Sequence, residues 1–412
     1  MNASPGFGAP GAPPVFQRVV ICRSNPVDPD PRVEKEAAAL AEAGYSVQVI
    51  AWDRSAALPV HQRRLLAVQQ IDITRLPIHA EYARGMSNLP DLLRWQAGLL
   101  KWLLSHRSQY DVIHACDFDT VLPALVLKIF FSKQVVYDIF DFYADHLRAT
   151  PQAIKTSIRL IDRWAIRKVD ALILADDSRW EQIGDLSPTA SRPTRSAVIY
   201  NSPADDSGLQ AHTNEVNVCA PSQASQPETT LTLAYIGLLQ VERGLYELLE
   251  VLQRRPFWRL HLAGFGGDEA RILEIIAGMP NVRWHGRVPY ARALELSRQA
   301  DVLFATYDPA IPNHRYASPN KVFEAMMLGK PVIVAQGTNM DKIVAAGECG
   351  LVVPYGDVPA LEAALEQLQL DPKLRHQLGA NARSVYEQRY AWEMMRRRLL
   401  DLYASLPGKQ RG

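Results

Sequence analysis

The feature that most restricts the fold is a repeated change of period. Short β-branched apolar runs alternate with amphipathic helical patterns, in two series separated by a polar interruption. The first series occupies residues 18–22, 46–52, 111–114, 134–139, 171–175 and 196–201; the second occupies 232–237, 258–264, 282–286, 301–307, 331–335 and 350–354. Runs that are apolar on both faces fit parallel strands covered by helices on each side. Between the first two runs, residues 32–44 place Val33, Ala37, Leu40 and Ala41 on one helical face, with Gly44 as a C-terminal stop. Strand, helix, strand is a βαβ unit, and two series of them predict an α/β protein with two Rossmann-like doubly wound domains.

Domain limits follow from the interruption. Residues 204–230 are polar, poor in large aliphatics and aperiodic, which predicts a linker or exposed loop. The expected organisation is a disordered leader over 1–16, an N-terminal domain over 17–203, this linker, a C-terminal domain over 231–390 and a terminal helix over 391–412. The leader is rich in Gly, Ala and Pro and has neither the charged start nor the apolar core of a signal peptide. Forty-five Lys and Arg against 44 Asp and Glu leave a formal charge of +1, so bulk charge gives no reason to expect a nucleic-acid partner. Four cysteines (Cys22, Cys116, Cys219, Cys349) have no metal-ligand or CxxC spacing, as in a reducing cytoplasmic setting without structural zinc.

The densest chemical signal is YASPNKVFEAMMLGKP, residues 316–331, followed by a strand. Ser318 is expected as N-cap and Pro319 at the first helical position, with the helix opening near Asn320 and closing by Gly329. The N–H groups at its start suit an anion. Lys321 adds a cation, and Glu324, on the same face, suits a pair of ribose hydroxyls. A surface helix with an ordinary Lys–Glu pair is the bland alternative. The turn after the first strand of the second series, AYIGLLQVERG at 234–244, supplies Gly237 for close backbone approach and Arg243 for a phosphate. GFGG at 264–267 lacks the full spacing of a phosphate loop, so packing or a base-edge contact is the expectation there.

Together these stretches resemble the retaining glycosyltransferases of the GT-B fold, in particular glycosyltransferase family four. The likeness spans 18 to about 406 and is strongest over 318–341. It implies two domains facing each other across a cleft, a nucleotide-sugar donor, and transfer with retention to a glycan or lipid-linked acceptor in bacterial polysaccharide or glycoconjugate synthesis. Arg243, Lys321 and Asp141 become the implied catalytic groups; Gly237, Ser318, Asn320 and Glu324 join the two cations around the donor. Arg32, His114, Asp117 and Asp138 are placed at the acceptor side of the cleft. Tyr316 stands where the family carries a first Glu, and Cys116 and Phe140 stand where relatives commonly carry His, so contacts to the donor sugar are altered. No metal or other cofactor is expected, because fixed cations stabilise the leaving diphosphate. Asp28/Asp30 and Asp117/Asp119 imitate an acid-x-acid metal motif in the other domain. The competing readings are an inactive nucleotide-sugar or glycan binder and a sugar-nucleotide epimerase. Residues 89–104 and 154–169, apolar with interspersed cations, suggest peripheral contact with the cytoplasmic membrane face. The terminal helix, apolar at Trp392, Met395, Leu399, Leu402 and Leu406, is expected to return to the first domain and serve as a hinge.

Overall fold

The computed structural model describes residues 18–80, 89–147, 150–184, 195–205 and 230–407. The expected leader, and all but the ends of the expected linker, lie outside that set. Contacts divide the chain into two compact units, Met1–Ile199 with Arg396–Gly412, and Tyr200–Met395.

The first unit contains β1 (Arg18–Arg23), β2 (Ser46–Asp53), β3 (His61–Leu66), β4 (Gln69–Pro77), β5 (Val112–Cys116), β6 (Gln134–Ile139), β7 (Ala171–Leu174) and β8 (Ser196–Val198). They form one sheet in the order β3-β4-β2-β1-β5-β6-β7-β8, parallel except for β3. The hairpin β3–β4 was not expected from the sequence. Its residues alternate between buried and exposed, as suits an edge with one wet face, so no continuous apolar run announces it.

The second unit contains β9 (Thr232–Leu238), β10 (Arg259–Phe265), β11 (Val282–Trp284), β12 (Val302–Ala305), β13 (Val332–Ala335) and β14 (Gly350–Val353), all parallel, in the order β11-β10-β9-β12-β13-β14. By position in that unit the order is 3-2-1-4-5-6, whose reversal point lies between the first and fourth strands. The first unit reverses likewise, between β1 and β5. In such sheets ligands bind beyond the carboxyl ends of the strands at the reversal, so each unit has one place to inspect.

Helices cover both faces, and their ends follow local chemistry. The Pro31–Glu42 helix is capped by the Asp30 side chain on the Val33 amide. It closes with Gly44 at φ +94° and paired bonds to Ala41 and Leu40. The Asn320–Met327 helix ends similarly: the Gly329 amide (φ +63°) bonds to Met326 and that of Lys330 to Ala325. Its start differs from expectation. The cap is Pro319, with extended ψ of 144° and no side-chain bond, and not Ser318. The first turn's amides are thus left without a side-chain acceptor from the cap residue.

The last helix, Trp392–Ala404, buries Met395, Leu399, Leu402 and Tyr403, and residues from Arg396 onward cluster with the first unit.

Candidate functional site

The second unit's reversal point assembles two cations on an aromatic floor. Beyond β9 the chain makes a tight turn over Val241–Arg243, and Gly244 follows in a left-handed conformation, φ +65°. A side chain at Gly244 would meet Thr306 Oγ1 at 2.2 Å, so only glycine lets this turn approach the end of β12. The turn is fastened on several sides. Thr306 Oγ1 donates to the Arg243 carbonyl at 3.0 Å, the Asp308 amide to the Glu242 carbonyl at 3.0 Å, and Tyr355 to the Val241 carbonyl at 3.0 Å.

The Arg243 guanidinium therefore has a fixed root, and it lies over the Tyr307 ring with Cζ 4.0 Å from the centroid. Its Nε and Nη1 are buried and find no hydrogen-bond partner among the described residues. Lys321 approaches from the first turn of the Asn320–Met327 helix. Its Nζ sits 3.6 Å from the Tyr235 centroid and 5.8 Å from that of Tyr307. Gly237 makes room for it: a Cβ there would stand 2.6 Å from Lys321 Cε and 2.8 Å from Nζ. Removal from water and the neighbouring Arg243 push the Lys321 ammonium well below the ordinary lysine range, with Glu324 pulling weakly the other way. Two cations that make no ion pair among the described residues, held by aromatic faces, form a site suited to a polyanion.

Glu324 lies one turn further along the same helix, and Asn320 and Ser318 precede it; all are half-buried. The opposite face of the helix is anchored by Val322, Phe323 and Met326, and Phe323 packs against Tyr200 and Tyr390 at 5.6 and 5.0 Å. Tyr316 is half-buried just before this segment. The GFGG segment is a packing device. A Cβ on Gly264 would fall 1.8 Å from the Gly237 carbonyl oxygen, and one on Gly266 2.3 Å from that of Leu239.

The first unit's reversal point is organised differently, and here the sequence-based expectations for Arg32, His114 and Asp138 need correction. These residues were expected to face a cleft, but all three are buried, at 3%, 0% and 0% exposure. Arg32 donates to both oxygens of Asp138 at 2.8 and 3.2 Å and to the Ile199 carbonyl at 2.7 Å, and stands 3.1 Å from Glu36. His114 sits between the Tyr403 hydroxyl, at 2.7 Å from Nδ1, and Asp138, at 3.4 Å from Nε2. Burial pushes the Glu36 carboxyl well above the usual range, and Asp138 adds to that. Burial works on Asp138 too, but Arg32 outweighs it and holds that carboxylate low. Asp117 is paired with Arg23 and accepts the Phe140 amide at 2.9 Å. Asp141 is the most exposed of the group and is held by buried Arg179 at 2.6 Å. Phe140 packs under two guanidinium groups, Arg23 at 4.1 Å and Arg32 at 4.6 Å.

His114, Cys116 and Asp138 place one ligand-type atom each within 4.8 Å of one another. The donor set fits a metal poorly. Arg32 already supplies the positive charge on Asp138, and burial raises the Cys116 thiol well above its usual value, which favours the protonated form. Asp28 pairs with Arg64 at 3.3 Å, and Asp30 with Arg23 at 2.9 Å. Residues the sequence did not single out include Arg23, Glu36, Tyr235, Tyr307 and Tyr403. The tyrosines lie in or just after apolar runs, where they read as core.

The fold is that of paired doubly wound α/β units, and the family follows from comparison with known proteins. The family model described as "Glycosyl transferases group 1" matches residues 221–385, and that described as "Glycosyl transferase 4-like domain" matches 29–201. The chain belongs to the family-four, group 1 glycosyltransferases. It is 23% identical over 333 residues to the D-inositol 3-phosphate glycosyltransferase of Corynebacterium urealyticum, covering 77% of this chain and 76% of that one. It is 30% identical over 203 residues to the phosphatidyl-myo-inositol mannosyltransferase of Mycobacterium leprae, covering 47% and 52%. Among solved structures, sucrose-phosphate synthase from Thermosynechococcus elongatus superposes with a TM-score of 0.72 at 18% identity, over 95% of this chain and 99% of that one. Anabaena HepE, solved with UDP and glucose, superposes with a TM-score of 0.65 at 15% identity, over 95% and 100%. These likenesses give the GT-B fold.

Proposed function

We propose that this glycosyltransferase moves a sugar from a nucleotide-sugar donor to a glycan or lipid-linked acceptor with retention of anomeric configuration. The setting is bacterial polysaccharide or glycoconjugate synthesis at the cytoplasmic membrane face. The observation that carries the reading is Arg243, whose buried Nε and Nη1 have no hydrogen-bond partner among the described residues, with Lys321 beside it. A diphosphate would supply what both cations lack. As the glycosidic bond to the donor breaks, negative charge grows on the departing diphosphate, and cations already fixed in place stabilise it without reorganising. The positive end of the Asn320–Met327 helix acts in the same sense. Glu324 is assigned to the ribose, accepting from its hydroxyls. Asp141, steered by Arg179, is the acidic group assigned to the acceptor. With two protein cations on the diphosphate, the chemistry calls for no metal.

The test is calorimetric titration with UDP, GDP and ADP, followed by turnover with the matching nucleotide sugar and NMR assignment of the product anomer. Glu324→Gln is expected to weaken nucleotide binding by about 1.5–3 kcal/mol, the range for a hydrogen bond to a charged group. Unchanged affinity would remove Glu324 from the site. Binding without transfer would favour an inactive binder, and change of the donor's own sugar an epimerase.

A further inference from the structure

A surface helix of a globular protein normally turns a polar face to water. The Gln152–Lys168 helix of the first unit interrupts that polar face with large apolar side chains. Its inner stripe is fixed in the core by Ala165, Ile166 and Asp162, the last accepting from Tyr137 at 2.8 Å. Its outer stripe is also apolar: Leu160 is 60% exposed, Ile161 43% and Trp164 42%. The helix carries Lys155, Arg159, Arg163, Arg167 and Lys168 against a single acid, the buried Asp162. Arg167 and Lys168 are exposed beside Trp164.

A second exposed group lies at the end of the neighbouring Phe118–Phe131 helix, where Ile129 is 63% exposed, Phe130 72% and Phe131 39%. The two helix ends are joined by Lys128 and Asp170, 2.5 Å apart, the latter two residues beyond Lys168. Arg107, after the Leu89–Ser105 helix, stacks over Phe131 at 5.4 Å. Large apolar side chains ringed by cations thus occur on adjacent helices of one unit.

We propose that this face docks on an anionic lipid bilayer, with Leu160, Ile161, Trp164 and Phe130 entering the headgroup region and Arg167, Lys168 and Arg107 meeting lipid phosphates. The charge argues for that occupant. A second copy of the same face would set cation against cation, whereas an anionic surface complements both components. Among the described residues no helix is long and apolar enough to cross a membrane, so the contact is one of docking in the plane. The inference deepens the membrane-face part of the reading above and is independent of the donor chemistry.

The full chain is sedimented with vesicles of phosphatidylcholine alone and of phosphatidylcholine with phosphatidylglycerol. The protein is expected to partition only onto the anionic vesicles, and to be released by salt. The double charge reversal Arg167→Glu with Lys168→Glu should lower partitioning by more than tenfold, since each cation near an anionic surface is worth about a fivefold change. Leu160→Ser with Trp164→Ser should abolish it. Should that pair lower the melting temperature, Phe130→Ser on the other helix replaces it, with a severalfold loss expected. UDP and GDP titrations run on the same variants should match the parent, which separates loss of docking from damage to the nucleotide site. Absence of wild-type partitioning, equal binding to neutral vesicles, or variants that bind like the parent each overturn the proposal. So does a concentration-dependent dimer in sedimentation velocity without vesicle binding.

Discussion

The two units present the same topological feature with opposite electrostatics. At the reversal between β1 and β5, the buried arginines meet carboxylates within the unit: Arg23 pairs with Asp117 and Asp30, and Arg32 with Asp138 and Glu36. At the reversal between β9 and β12, Arg243 and Lys321 rest on tyrosine faces, and Arg243 Nε and Nη1 are buried without a hydrogen-bond partner among the described residues. A network of paired charges stabilises its own geometry and gives a charged ligand little to add. An unsatisfied pair of cations costs stability, and that cost is recovered when an anion arrives. The contrast separates a structural cluster from a candidate binding site more clearly than residue type does, since both contain arginines at strand ends.

The largest expected effect breaks the first cluster. Asp138→Ala leaves Arg32 buried without its bidentate partner and should destabilise the protein by about 3–5 kcal/mol. The urea midpoint measures this. A loss under about 1 kcal/mol would mean that the cluster is open to water and not a structural network.

Arg243→Ala should do the reverse. Nucleoside diphosphate affinity is expected to fall by about 1.5–3 kcal/mol by calorimetry, while the melting temperature holds or rises as repulsion on Lys321 is relieved. A large fall in stability with unchanged affinity would invert the comparison.

Lys321 sharpens it through pH. Its folded pKa lies below the unfolded value of about 10.4, so its charged form penalises the unliganded fold at low pH. The penalty is relieved as pH rises from the folded value to the unfolded one. A bound diphosphate favours the charged form, so affinity should be greatest below the free pKa and decline as pH rises through it. Calorimetry over a series of pH values reads this decline, and Lys321→Met should flatten it. A slope that persists in Lys321→Met belongs to another group.

The smallest effect is expected from Gly237→Ala. The new methyl displaces the flexible end of Lys321, and φ +151° strains an alanine there, so about 1 kcal/mol is expected in diphosphate binding and about 1 kcal/mol in folding. Affinity equal to the parent would show that Lys321 has other room.

Sequence alone determined the twelve parallel runs, because β-branched segments between amphipathic helices carry their periodicity locally. It also gave the end of the Asn320–Met327 helix at Gly329 and the shared placement of Lys321 and Glu324, since spacing along one helix needs no partner. The β3–β4 hairpin escaped because an edge with one wet face makes no apolar run. The cap at Pro319 in place of Ser318 was decided by the path of the chain into the helix, and a serine has several backbone partners to choose from. Only the tertiary structure decided which charges are spent. Arg32 and Asp138 are 106 residues apart, and His114 and Tyr403 are 289 apart. Strand order brings them together, and a linear pattern holds no record of it. Arg243 and Lys321 look no more promising in the sequence than Arg32 does. They become a candidate site because the fold sets tyrosine rings and, among the described residues, no carboxylate ion pair against them.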